Sequence, residues 1–101
     1  MVKESNKKEV LETVKNGLHL VVFYAEWCGA CKMLKPVLEE LSAKDNVSVL
    51  RINVDTEKEY AIEEKVQSIP YVLVYKDGEL VHKMLGYKPY AQLKEDLKPY
   101  L

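Results

Sequence analysis

Apolar and polar positions recur along this chain with changing periods, and the changes mark its elements. From Ser5 to Asn16 the apolar residues Val10, Leu11 and Val14 fall at helical spacing, and Gly17 is placed to take the left-handed conformation that closes a helix. Leu18 to Tyr24 (LHLVVFY) is β-branched and aromatic with little alternation, which predicts a central strand covered on both faces. Beginning near Cys28, residues Leu34, Val37, Leu38 and Leu41 follow the i, i+3, i+4, i+7 pattern of an amphipathic helix ending around Asp45–Asn46. Pro36 lies inside it, where a missing N–H predicts a kink. Val47 to Val54 (VSVLRINV) predicts a second strand. Thr56 and Glu59 have the spacing of a capping box, predicting a third helix through about Lys65. Ile69–Pro70 breaks the chain before YVLVYKDGELVHKML, in which two apolar runs flank Asp77–Gly78, a strong hairpin signal. Gly86 interrupts, Pro89 suits a helix start, and Tyr90, Leu93, Leu97 and Leu101 supply one stripe to the C-terminus.

The predicted order is therefore helix, strand, helix, strand, helix, strand, strand, helix. Strands separated by helices pair in parallel through right-handed crossovers, and the hairpin adds an antiparallel pair. The fold class that follows is α/β, a central mixed β-sheet flanked by helices on both faces. At 101 residues the chain has the length of one domain, expected to span 1–101. Apolar residues at 48% suffice for a core, and charged residues at 31% are enough to keep the surface soluble. The longest apolar run, Leu20 to Ala25, is too short for a bilayer, and MVKESNKKEV lacks the apolar stretch of a secretory signal, so a cytoplasmic location is expected. Fifteen basic residues are interspersed with sixteen acidic ones, a net charge of −1, which makes nucleic acid a poor partner.

The only two cysteines stand in AEWCGACK, Ala25 to Lys32. A lone C-x-x-C in a reducing compartment points to redox or metal chemistry rather than a disulfide framework. With Tyr24 ending a strand and Cys28 starting a helix, the first sulfur sits at the positive end of the helix dipole, where a thiolate is favoured. Cys28 is then the attacking residue in disulfide exchange, and Cys31, on the same helical face one turn deeper, the resolving one. A zinc site needs four ligands; only His19 and His82 could complete it, and both fall in predicted strands without ligand spacing. A purely structural disulfide would close too short a loop to constrain the unfolded chain. Lys32 could favour a thiolate by its charge, although a helical lysine is ordinarily a solvated surface residue.

The chain resembles thioredoxins over nearly its whole length: LVVFYAEWCGACKMLKP, INVD at 52–55, SIPY at 68–71, the KDGE turn and LG at 85–86 come in that family's order and spacing. The resemblance implies a thioredoxin fold and a thiol–disulfide oxidoreductase that reduces protein disulfides. It implies a Cys28 nucleophile and a Cys31 partner. It places Trp27, Gly29, Ala30, Ile69 and Gly86 on a shallow substrate surface around the exposed sulfur, and Pro70 at the family's cis-proline. A proline there donates no hydrogen bond and leaves the Ile69 backbone free to pair with an extended substrate. Trp27 also has a structural reading, as a half-buried ring packing helix against sheet. No metal or organic cofactor is implied. The implied partners are protein disulfide substrates and a thioredoxin reductase, and the expected state is a monomer.

Three positions depart from the family pattern. Ala30 stands where proline is usual; its N–H, turned toward the Cys28 sulfur, predicts a more oxidising couple. Val22 stands where an aspartate is often buried, and Arg51 where a lysine often accompanies it. Neither can accept the resolving thiol's proton, which predicts slower resolution of mixed disulfides. Tyr71 replaces a small hydroxyl residue, either adding bulk beside the groove or packing in the core. Together these leave two alternatives to a general reductase: a more oxidising disulfide oxidant or isomerase, and a redox-switched protein-binding module.

Overall fold

Residues 1–101 are described by a computed structural model. Val2–Glu4 forms β1, Lys7–Thr13 α1, Leu18–Tyr24 β2, Gly29–Asp45 α2, Ser48–Asn53 β3, Lys58–Glu63 α3, Tyr71–Lys76 β4, Glu79–Leu85 β5 and Tyr90–Leu97 α4, followed by a 3-10 turn over Lys98–Tyr100. The sheet order is β1-β3-β2-β4-β5. The β1–β3 and β2–β3 pairs are parallel; β2–β4 and β4–β5 are antiparallel.

The continuous apolar run of β2 is explained by its place in the middle of the sheet. Leu20 and Val22 face a core built with Leu34, Leu38 and Leu41 of α2 and Leu93 and Leu97 of α4. Val21 and Phe23 face the opposite core, with Val10 of α1 and Tyr60 and Ala61 of α3. Successive side chains of a strand point to opposite faces, so a strand with helices on both sides is apolar at every position. The expected mixed sheet between two helical layers is what forms.

Several local expectations change. β1 is not legible in the sequence pattern; three residues with only Val2 half-buried carry too little of it, and the strand exists because β3 offers an open edge that pairs Val2 with Val49 and Glu4 with Arg51. The first helix starts later than Ser5, with Asn6 as its N-cap accepting from the Glu9 amide, and Leu11 faces out. Gly17 is left-handed at φ 86°, but it ties to the hairpin rather than capping α1: its N–H donates to Asp77 Oδ1 at 2.7 Å, and its carbonyl accepts from the Asp77 amide. The Thr56–Glu59 capping box does not form. Thr56 Oγ1 donates to the Asn53 carbonyl, and α3 begins after Glu57 with no side-chain cap. α2 runs through Pro36 as one helix, closed by Asn46 at φ 56°. The Asp77–Gly78 turn has both residues at positive φ, 50° and 85°, as a two-residue hairpin with right-handed twist requires. Leu101 is exposed, because Pro99 ends α4 in a 3-10 turn before the stripe completes its next repeat.

Candidate active site

The cysteines sit where β2 and β3, running parallel, both end. That is where open α/β sheets leave a crevice and where the following helix presents its N-terminus. After Tyr24 the chain turns, with the Cys28 amide donating to the Ala25 carbonyl at 3.2 Å, and Cys28 becomes the N-cap of α2. Its sulfur takes the role that a serine or aspartate oxygen plays in other caps, accepting the Cys31 N–H at 3.2 Å. The amide at the sulfur is therefore that of Cys31, and the Ala30 N–H anticipated from the sequence makes no such bond. Cys28 and Cys31 are joined in a disulfide with a Cα–Cα distance of 5.2 Å. Cys28 is 8% exposed and Cys31 3%, so the outer sulfur is only just accessible and the inner one is covered, in the expected order.

The Ile69–Pro70 bond is cis, and the Ile69 carbonyl lies 3.8 Å from Cys28 Sγ. Behind it, the Gly86 amide donates to the Pro70 carbonyl at 2.8 Å, holding the β4 entry and the β5 exit together with Gly86 at φ 82°. Ile69 and Ala30 pack on the cysteine cluster, and Gly29 has open space around it. Trp27 is 70% exposed, which rules out the half-buried packing role; its indole N–H is held by Asp55 Oδ2 at 2.9 Å. The ring lies along an apolar groove of about 150 Å³ lined also by Val54, Ala61, Val66, Gln67 and Ile69. Of the site residues read from the sequence, Ala30 and Ile69 thus lie against the cysteine pair, while Pro70 is joined to Gly86 and Trp27 to Asp55.

That Asp55 holds Trp27 is not legible in the INVD segment. Asn53 folds that segment into an Asx turn, its Oδ1 accepting the Asp55 amide at 2.8 Å, and only this turn carries Asp55 to the indole. A second contact that the sequence pattern does not mark lies beside the cysteines. Tyr24, packed with Ala25, Cys28 and Cys31, donates its hydroxyl to Glu4 of β1, and the Arg51 guanidinium stacks over its ring at 3.7 Å. Burial, then the hydrogen bond to the Glu4 carboxylate, push the Tyr24 phenol up to about 12. Val22 is fully buried and in register with Arg51, so no carboxylate occupies the core there. Tyr71 is half-buried and packs toward the Phe23 ring, 6.2 Å between centroids, on the layer of α1 and α3. The histidines stand apart from the cysteines: the His19 ring meets the Asn16 carbonyl, and His82 faces Tyr100.

The Thioredoxin family model matches residues 1–99. The chain belongs to the thioredoxin family. Thioredoxins of Staphylococcus aureus, strain COL among them, are 43% identical over 90 residues, covering 87% of this chain and 86% of theirs. A mutant thioredoxin from Halobacterium salinarum NRC-1 superimposes with a TM-score of 0.88 at 32% identity, over 98% of this chain and 88% of that one. A chain from a structural study of the thiol resolving mechanism in yeast mitochondrial 1-Cys peroxiredoxin via glutathione/thioredoxin systems gives 0.82 at 32% identity, over 98% and 94%. As a thioredoxin with its C-x-x-C pair in place, the protein is a thiol–disulfide oxidoreductase, a protein-disulfide reductase of the thioredoxin type. Nothing in these likenesses favours the oxidant, isomerase or binding-module alternatives. No helix is long and apolar enough to cross a membrane.

Proposed function

We propose that Cys28 is the nucleophile and Cys31 the resolving residue of a reductase acting on extended segments of protein substrates. The single observation that carries this reading is Cys28 as N-cap of α2. Its sulfur meets an amide donor at the positive end of a 17-residue helix, and it is the outer of the two. In the reduced protein the Cys28 thiolate attacks one sulfur of a target disulfide; a Cys28–target bond forms, and the target's other sulfur leaves as a thiolate that takes up a proton. Cys31 then loses its proton and attacks Cys28 Sγ, releasing the second target thiol and leaving the Cys28–Cys31 disulfide. Two electrons and two protons have passed to the target.

Trp27, Gly29, Ala30, Ile69, Pro70 and Gly86 form the substrate surface in this reading. It is supported by the apolar groove beside Trp27 and by the Ile69 backbone, which has no partner in the sheet and can pair with an extended chain. Turnover draws electrons from a thioredoxin reductase, and the whole chain acts as one cytoplasmic, monomeric domain. The test is disulfide reduction by single-cysteine variants. Cys31→Ser accumulates a mixed disulfide that gel mobility detects, whereas Cys28→Ser forms none and loses turnover. Turnover persisting in Cys28→Ser would remove the assignment.

A further inference from the structure

Charges from outside the C-x-x-C segment lie against a ring that packs with the cysteine pair. Tyr24 is buried in one apolar cluster with both cysteines, so it packs directly against their group. Against that ring lies the Arg51 guanidinium, 3.7 Å from the centroid, on a side chain only 11% exposed. An arginine is always ionised, and burial reduces the water that would screen it. Its counter-ion is Glu4, 3.7 Å away, which also accepts the Tyr24 hydroxyl and remains 55% exposed. Register makes this arrangement: Glu4 pairs with Arg51 across β1–β3, and Arg51 with Val22 across β3–β2. Arg51 from β3, Glu4 from β1 and Glu26 from the loop before α2 are the charges that act on Tyr24.

The geometry points to Glu4, a residue of the edge strand, as a positioning residue that sets the cysteine pair's affinity for electrons by deciding how much of the Arg51 charge reaches it through the Tyr24 ring. A positive potential at the sulfurs favours the form with thiolate character, hence the dithiol over the disulfide. Glu4 offsets that potential. It also ties β1 to the active site, so that the docking of three N-terminal residues bears on the chemistry some two dozen residues later. The inference rests on the reductase reading only in that the pair must cycle between disulfide and dithiol.

The test is equilibration with glutathione near neutral pH, followed by the fluorescence of Trp27, the single tryptophan. The Cys28–Cys31 bond breaks as it takes two electrons from two glutathione thiols, whose protons pass to the protein's sulfurs while one glutathione disulfide forms. Glu4→Gln, which leaves Arg51 uncompensated, shifts the equilibrium toward the dithiol by about three- to tenfold, the scale of one charge acting across a ring's width at intermediate dielectric. Arg51→Met shifts it the opposite way, and the double variant returns close to the parent. Urea unfolding of both redox forms gives an independent readout: the variants change the stability difference between the oxidised and reduced proteins by the same factor. A merely structural role would weaken both forms equally and leave the equilibrium within twofold of the parent, and that result overturns the inference. Failure of the parent itself to exchange with glutathione would instead remove the reductase reading.

Discussion

Ala30 occupies the second position of α2, where a backbone N–H has no partner within the helix. The structure gives the direct bond to Cys28 Sγ to the Cys31 amide, so Ala30 contributes a nearby unpaired dipole rather than a bond. The expected consequence has the same sign as the sequence reading and a smaller size. Ala30→Pro removes one donor from the helix N-terminus and lowers the reduction potential by about 10–30 mV, the equivalent of about 0.5–1.5 kcal/mol. Equilibration with glutathione reads this directly, and an unchanged or higher potential in the variant would remove the claim. Trp27 and Tyr71 show how a side chain's role depends on its surroundings. Both are aromatic and both flank the site, yet Trp27 stands in solvent on an Asp55 hydrogen bond, while Tyr71 is drawn into the ring cluster of Phe23 and Tyr60.

Between elements, the site is assembled by short loops whose backbone conformations are unusual. The loop after β5 turns at Gly86, left-handed at φ 82°, and its amide holds the Pro70 carbonyl. A Cβ at Gly86 would meet no atom within 4 Å, so the penalty of a substitution is conformational rather than steric. Gly86→Ala is expected to destabilise by about 1–2 kcal/mol and to slow substrate reduction, since the loop that positions Pro70 shifts. Gly29 differs: its φ is ordinary and the space beside it is open, so Gly29→Ala leaves stability unchanged or slightly raised, as a helical alanine should. Denaturant midpoints of the two variants check the contrast; equal losses would mean that the Gly86 conformation carries no strain. The α2–α4 contact has its own polar clasp, in which Asp45 accepts from Tyr90 and pairs with Lys94. The Tyr90 hydroxyl, then the Lys94 hydrogen bond, hold the Asp45 carboxyl below the usual carboxylate range.

For the molecule as a whole, the tyrosines make stability depend on alkaline pH. Tyr24 is pushed up to about 12, burial raises Tyr60 and Tyr75, and hydrogen bonding to Asp45 raises Tyr90. Each of these phenols holds its proton more tightly folded than unfolded, where the value is about 10. The stability this provides is therefore complete below pH 10 and is lost as pH rises from about 10 toward 12 and beyond. Urea midpoints measured across that range should fall steadily, and Tyr24→Phe should flatten the early part of the fall. A midpoint constant to pH 12 would contradict the burial of these rings. The two-sided sheet is the reason so many phenols are desolvated at once: Tyr60, Tyr71 and Tyr75 converge with Phe23 on the layer covered by α1 and α3.

The sequence by itself determined the α/β class, the helix that begins at the cysteines, the hairpin at Asp77–Gly78 and the identity of the cysteine pair. Each rests on local information: side-chain period, the φ angles a residue tolerates, and the spacing of two sulfurs on one helical turn. Tertiary structure alone decided the rest. β1 exists because β3 had an edge to fill, Thr56 left its capping role for the Asn53 carbonyl, and Asp55 reached Trp27 through a turn. Glu4, Tyr24 and Arg51 became one cluster because the register of three strands brought together residues that lie 20 and 27 positions apart along the chain. Such contacts depend on the order in which strands lie side by side, and no period along the chain records that order.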